Sequence, residues 1–64
     1  MRLTRFRQRM EEEFGAARAS ALAQDHVFAQ LGGRTVDDAL EAGIPAKQVW
    51  SVVCGVFDVP PERR

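Results

Sequence analysis

Residues 32–50 read GGRTVDDALEAGIPAKQVW, and this stretch decides the fold because it ends and begins helices at closely spaced positions. Thr35 is the predicted N-cap of a helix, and Asp38, three residues on, closes a variant of the capping box in which Glu or Gln is usual. Gly43 is expected to end that helix in the left-handed conformation. Pro45 follows where the first residue of a helix tolerates a missing N–H. The spacing therefore predicts helices over residues 35–42 and 46–57, joined as a helix-turn-helix-like corner.

Two more helices are predicted before this corner. Thr4 is the expected N-cap of a first helix over residues 5–14, in which three apolar residues recur every four positions and share one face. These residues are Phe6, Met10 and Phe14. A second helix is predicted over residues 16–31, with two glycines as its stop. The apolar residues of this helix shift from one face to another along its length, which leaves two interpretations. The helix either kinks near residues 22–24 or buries two faces between neighbouring helices, and its small alanines favour the second.

The fourth helix has the strongest apolar periodicity, and its residues separate into a broad apolar stripe and a weakly polar outer face. The stripe consists of Val49, Trp50, Val53, Cys54 and Phe57, and the outer face of Lys47, Gln48, Ser51, Val52 and Gly55. We expect Trp50 to be a central core residue that contacts the first or second helix, and residues 62–64 to be a frayed tail. The fold class predicted is all-α: one domain over residues 1–64, a compact bundle of about four short helices.

The composition indicates the cellular compartment in which such a domain is found. The chain has 64 residues, and its nine basic and nine acidic side chains cancel. The single cysteine excludes an internal disulfide, which suits a reducing cytoplasm. No apolar run of about 7–15 residues follows the basic N-terminus, so a secretory signal is not expected. We therefore expect a complete, soluble, cytoplasmic protein without a membrane partner.

No set of residues has the spacing of a catalytic, cofactor or metal site. Asp25 and His26 are neighbours on a predicted helix and point about 100° apart, so they cannot form an aligned dyad. One cysteine and one histidine are too few for a metal site, and Cys54 lies within the apolar stripe. The glycine pair before residue 34 is not followed by the lysine of a phosphate-binding loop. We therefore expect a protein that is not an enzyme and binds no cofactor.

A contact surface is the remaining possibility, and two groups of residues are its candidates. The first group lies in the basic N-terminal arm, residues 2–9, and consists of Arg2, Arg5 and Arg9. The second lies on the outer face of the fourth helix and consists of Lys47, Gln48 and Ser51. Arg5 and Arg9 lie opposite the apolar face of the first helix, so we expect both to be exposed. The arm could also be a solvated face, neutralised by the three glutamates that follow it.

The spacing of the whole chain resembles that of a known family. The matching positions are Met1-Arg2-Leu3-Thr4-x-Phe6, Phe14-Gly15, Asp25-His26-Val27, Leu31-Gly32-Gly33-Arg34-Thr35, Ala39-Leu40-x-x-Gly43, Val49-Trp50-x-x-x-Cys54 and Asp58-Val59-Pro60. This pattern is similar to that of the short actinobacterial domain-of-unknown-function family numbered 3046. The resemblance implies a standalone cytoplasmic protein, often encoded near the recombinase RecA and its regulator RecX. It implies no established activity and no functional residues.

Two hypotheses of function follow from these observations. The first is a protein–protein interaction or regulatory module that docks on an unidentified protein partner. The second is a helix-turn-helix-like regulator that binds nucleic acid and is linked to recombination or repair. The second is less favoured, because the helix before the expected recognition helix carries Asp37, Asp38 and Glu41, which would repel phosphates.

Overall fold

The computed structural model describes residues 1–64, and it is all-α, as predicted. The four α-helices are α1 (Leu3–Phe14), α2 (Ala16–Asp25), α3 (Val36–Glu41) and α4 (Ala46–Val56). Two short 3₁₀ helices span Ala29–Leu31 and Pro61–Arg63. Helix α1 packs against α2 and α4, and α3 packs against the same two helices, so all four enclose one core.

The core consists of 14 buried side chains, every one of them hydrophobic. Trp50 lies at its centre as predicted, since its ring meets that of Phe6 of α1 edge to face at a centroid distance of 6.1 Å. Val53 and Cys54, one turn further along α4, are completely buried. Burial of an apolar side chain this size contributes about 1.5–3 kcal/mol, so in a domain this small each such residue is a large share of the stability.

The corner between α3 and α4 forms almost as its sequence predicts. The backbone N–H of Asp38 donates to Oγ1 of Thr35 at 3.1 Å, which is the predicted N-cap. Gly43 has φ +93°. The N–H groups of Gly43 and Ile44 donate to carbonyl oxygens in the last turn of α3, the pattern of a Schellman motif. Pro45 occupies the N-cap of α4 rather than its first helical position, because its ψ of 139° is extended.

The prediction of a second helix over residues 16–31 was wrong in its C-terminal third. Helix α2 ends at Asp25, and the next residues are extended up to a β-bridge between Phe28 and Arg34. The N–H of Phe28 donates to the carbonyl oxygen of Arg34 at 3.0 Å. This contact turns the chain and buries Phe28, so the drift in apolar phase marks the end of the helix and neither a kink nor a two-faced helix.

The first helix also differs from its prediction. It begins at Leu3, two residues before the predicted start, and its N-cap is Arg2, whose side chain makes no capping hydrogen bond. Thr4 lies inside the helix, so its predicted role as N-cap was wrong. Packing of Phe6 and Met10 into the core, rather than a capping side chain, therefore fixes where α1 lies.

The C-terminal segment is ordered, and the prediction of a frayed tail was wrong. Asp58 adopts φ +53° after α4, a left-handed conformation that Asp tolerates better than most residues. The N–H of Val59 then donates to the carbonyl oxygen of Cys54 at 3.0 Å, and Val59 is buried. This tight turn sends residues 60–64 back along the bundle, where they contact α1 and α4.

Candidate docking groove

An open groove of about 430 Å³ lies beside α4, between the start of α1 and the C-terminal segment. The residues that line it are Met1, Lys47, Trp50, Ser51, Cys54 and Arg64. Its floor is apolar: Trp50, which is 4% exposed, presents an edge of its ring, and the side chain of Cys54, one turn further along α4, is completely buried. Lys47 and Ser51 are one turn apart on α4 and exposed, so they form one wall.

The opposite wall contains Arg64, whose side chain is held by hydrogen bonds to main-chain oxygens. Its Nε donates to the carbonyl oxygen of Val59 at 2.7 Å, and its Nη2 lies 3.4 Å from that of Cys54. The indole Nε1 of Trp50 in turn donates to the main-chain oxygen of Arg64 at 3.3 Å. These bonds fix a guanidinium at the edge of the groove.

A bidentate ion pair anchors the segment that carries Arg64. Nε and Nη2 of Arg63 donate to the two carboxylate oxygens of Glu13, each at 3.0 Å. The hydrogen bond from Arg63 lowers the pKa of Glu13 below its ordinary value, and the positive charge of Arg63 acts in the same direction. The guanidinium of Arg63 is more than half exposed, so solvent screens much of this attraction.

The arginines of α1 have different partners. Nη2 of Arg7 lies 3.0 Å from Oδ1 of Asp37, a contact that joins α1 to α3. Arg9 was expected to be exposed, but it is half-buried, with Nη1 3.5 Å from the carbonyl oxygen of Arg63. Arg5 is exposed as expected, Arg2 is exposed as well, and neither forms an ion pair. Arg7 is therefore the one arginine of the basic arm that forms an ion pair with an acidic side chain.

The six predicted contact residues are divided by the fold. Lys47 and Ser51 line the groove, and Gln48 is exposed beside them on α4. Arg2 and Arg5 lie at the start of α1 without lining the groove. Arg9 lies one turn further along α1, in a cluster with three glutamates and Arg63. Those glutamates are Glu12, Glu13 and Glu62.

Four residues that line the groove were not predicted to be contact residues: Met1, Trp50, Cys54 and Arg64. Trp50 was assigned to the core alone, and Arg64 to a frayed tail. The proline at position 61 was a usable signal, because proline is common at the first position of a helical turn and here begins the 3₁₀ helix. No local signal could have indicated the bond between Arg63 and Glu13, which are 50 residues apart.

Of the residues considered for chemistry, Cys54 lines the groove, whereas Asp25 and His26 border a different depression. Burial raises the pKa of the Cys54 thiol, an effect that the charge of Arg64 partly offsets. His26 follows the end of α2 rather than lying within a helix, and its ring packs 4.5 Å from that of Phe28 and 5.3 Å from that of Phe57. No three His, Cys, Asp or Glu side chains are grouped so that they could hold a metal ion.

No helix has the length and apolar character needed to cross a bilayer.

A comparison with family models gives one match, to the family described as "Protein of unknown function (DUF3046)", over residues 1–62. Because the match covers nearly the whole chain, the chain belongs to this family, as its resemblance predicted. The comparison with curated proteins and the comparison with solved structures gave no match.

Proposed function

We propose that this DUF3046 protein is a non-enzymatic module that docks on a protein partner through the groove beside α4. The observation that carries the proposal is the composition of the groove: an apolar floor that includes Trp50, bordered by Lys47 and by an arginine fixed in place. Tryptophan and arginine are the residues most enriched where protein interfaces gain their affinity.

The fixed position of Arg64 supports this function because it lowers the cost of binding. A free arginine loses rotamer entropy when it contacts a partner, on the order of 0.5–1.5 kcal/mol for each side chain immobilised. Here the carbonyl oxygens of Val59 and Cys54 already restrict the side chain. A partner would therefore meet a surface whose main donor group is organised before contact.

We place this module in the cytoplasm. The support is the single cysteine, which is a free thiol buried in the core. Such a thiol is compatible with a reducing compartment and contributes there as a small hydrophobic side chain.

A nucleic-acid-binding regulator is the alternative, and the exposure of Arg2 and Arg5 favours it. Against it, Asp37 of the corner already pairs with Arg7 of the basic arm. The two hypotheses differ in their response to salt. Phosphate contacts release counterions, so binding of duplex or single-stranded DNA would weaken steeply as salt rises. Docking on an apolar floor would change much less.

Site-directed crosslinking tests the proposal. A Ser51→Cys variant labelled with a benzophenone places the crosslinker in the groove wall. The matched control is a Ser20→Cys variant, since Ser20 is an exposed serine on α2 that borders a different depression. Both are irradiated in lysate of the native host, with and without excess unlabelled protein.

We expect one protein adduct from position 51 that unlabelled protein suppresses, and no such adduct from position 20. Equal adducts from both positions, or none from position 51, would contradict docking at the groove. An adduct to nucleic acid from position 51 would support the alternative.

A further inference from the structure

We infer that the groove recognises an acidic, apolar segment of its partner, with a carboxylate bound between Lys47 and Arg64 and a neighbouring apolar side chain over Trp50. This inference rests on the proposed function and names the chemistry of the partner.

The charge around the groove is positive although the molecule as a whole is neutral. Lys47 and Arg64 border the groove, and no acidic residue lines it. Glu13 of α1 and Glu62 of the C-terminal segment border a separate depression with Arg9 and Arg63. A local field of one sign beside a low-dielectric floor attracts a ligand group of opposite charge and orients it.

Arg64 retains the donors that a carboxylate requires. A guanidinium has five N–H groups, and two of them are used on Val59 and Cys54, so three remain. Hydrogen bonds from a guanidinium to a carboxylate are about twice as strong as those between neutral groups. The ammonium of Lys47 and the hydroxyl of Ser51 supply further donors from the opposite wall.

The apolar part of the groove suits a side chain beside that carboxylate. Trp50 presents a narrow apolar edge to the groove, and Met1, which is nearly half exposed, supplies the larger apolar surface. Methionine is flexible and adapts to the shape of an apolar ligand group. A segment that alternates acidic and apolar residues would satisfy both parts of the groove.

A protein segment fits this surface better than a nucleic acid does. A nucleic acid chain carries a regular row of phosphates and needs a groove of positive charge that continues along it. Here only two cationic side chains, Lys47 and Arg64, line the groove, and the other depression nearby in sequence mixes Arg9 and Arg63 with three glutamates. A short acidic segment needs only the local pair of cations.

Binding of synthetic peptides tests the inference, and Trp50 provides the signal because it is the chain's one tryptophan and lies in the groove floor. The probe is a peptide of alternating Glu and Leu residues. Its matched analogue has Gln in place of every Glu. A single-stranded oligothymidine is the nucleic acid probe.

We expect saturable binding of the acidic peptide, with affinity for the Gln analogue lower by about tenfold or more because the charge-assisted bonds are lost. Lys47→Gln should weaken acidic-peptide binding by a similar factor, and Lys47→Arg should restore it. Arg18→Gln, an exposed change on α2, is the control and should leave the affinity unchanged.

Three results would overturn the inference: no saturable binding of the acidic peptide, equal affinity for the Gln analogue, or tighter and steeply salt-dependent binding of oligothymidine. The crosslink from position 51 separates this failure from failure of the proposed function. A protein adduct at position 51 without acidic-peptide binding would reject the ligand chemistry alone, whereas loss of the adduct would reject docking itself.

Discussion

The two sides of α4 differ sharply in their exposure to solvent. One side carries Val49, Val53 and Cys54, which are completely buried in the core. The other carries Lys47 and Ser51, which are exposed and border the groove. One short helix therefore carries a core-packing face and, on its other side, the face that we propose for docking. Changes to the buried face should cost stability, and changes to the exposed face should affect binding.

Trp50 belongs both to the core and to the groove. Its ring packs on Phe6, one edge of the ring lines the groove, and its indole N–H donates to the main-chain oxygen of Arg64. Trp50→Ala should therefore have the largest effect of any single change on α4. We expect a loss of about 3–5 kcal/mol, which approaches the whole stability of so small a domain.

Denaturation of Trp50→Ala followed by far-ultraviolet circular dichroism measures this loss without the indole signal. Cooperative melting close to the temperature of the parent protein would show that the core does not depend on this ring.

Gly43 sets the direction in which α4 leaves the corner, and so decides which of its faces points inward. With φ +93°, it adopts a conformation that L side chains rarely adopt, although a Cβ there would meet no other atom. Gly43→Ala should lower the free energy of unfolding by about 1–2 kcal/mol through backbone strain alone. Urea denaturation tests this, and an unchanged midpoint would contradict it.

Gly55 lies on the exposed side of α4 and should respond in the opposite direction to the same substitution. It is helical, and a Cβ added there would meet nothing within 4 Å. Alanine is favoured over glycine within a helix by about 0.8–1.0 kcal/mol, so Gly55→Ala should stabilise the protein by roughly that amount. A lower urea midpoint for this variant would mean that the exposed face is already packed against something.

Glu13 tests whether the C-terminal wall of the groove is held as the structure shows. Because its pKa is lowered in the folded protein, the unfolded chain binds this proton more readily. The stability that the Arg63 bond contributes is therefore fully present above the ordinary glutamate pKa of 4.5 and is lost as pH falls through the lower folded value. Glu13→Gln should remove that part of the acid dependence.

Parallel urea titrations of the parent and of Glu13→Gln across this pH range measure the difference. Glu12→Gln is the matched control, because Glu12 is exposed and forms no ion pair. Equal acid dependence in parent and Glu13→Gln would show that the Arg63 bond contributes nothing in solution.

Lys47→Gln should have the smallest effect on folding. Lys47 is exposed and makes no hydrogen bond or ion pair within the protein, so its removal should change stability by less than about 0.5 kcal/mol. The same variant is expected to lose binding of the acidic peptide. A large loss of stability would show that the exposed face of α4 also contributes to folding, so the two faces would not have separate roles.

The parts of the fold predicted correctly depend on local signals. Thr35 and Gly43 determine the α3–α4 corner through bonds between residues close in sequence. The end of α2 has no such signal. Asp25 is followed by neither glycine nor proline, and the chain turns there because Phe28 pairs with Arg34.

The groove was half predicted for the same reason. Periodicity separates the two faces of α4, so Lys47, Gln48 and Ser51 could be identified as exposed. The other wall depends on Arg64, which reaches its place only because the chain reverses at Asp58 and because Arg63 binds Glu13. Contacts between residues so distant in sequence leave no pattern that a single chain reveals.

We place the binding surface in the groove beside α4, and backbone amide chemical shifts measured during titration with the acidic peptide test this position. We expect the largest changes on residues 47–51 and 64 and on the indole N–H of Trp50. Largest changes within residues 16–25 or 36–41, or no changes at saturating peptide, would contradict it.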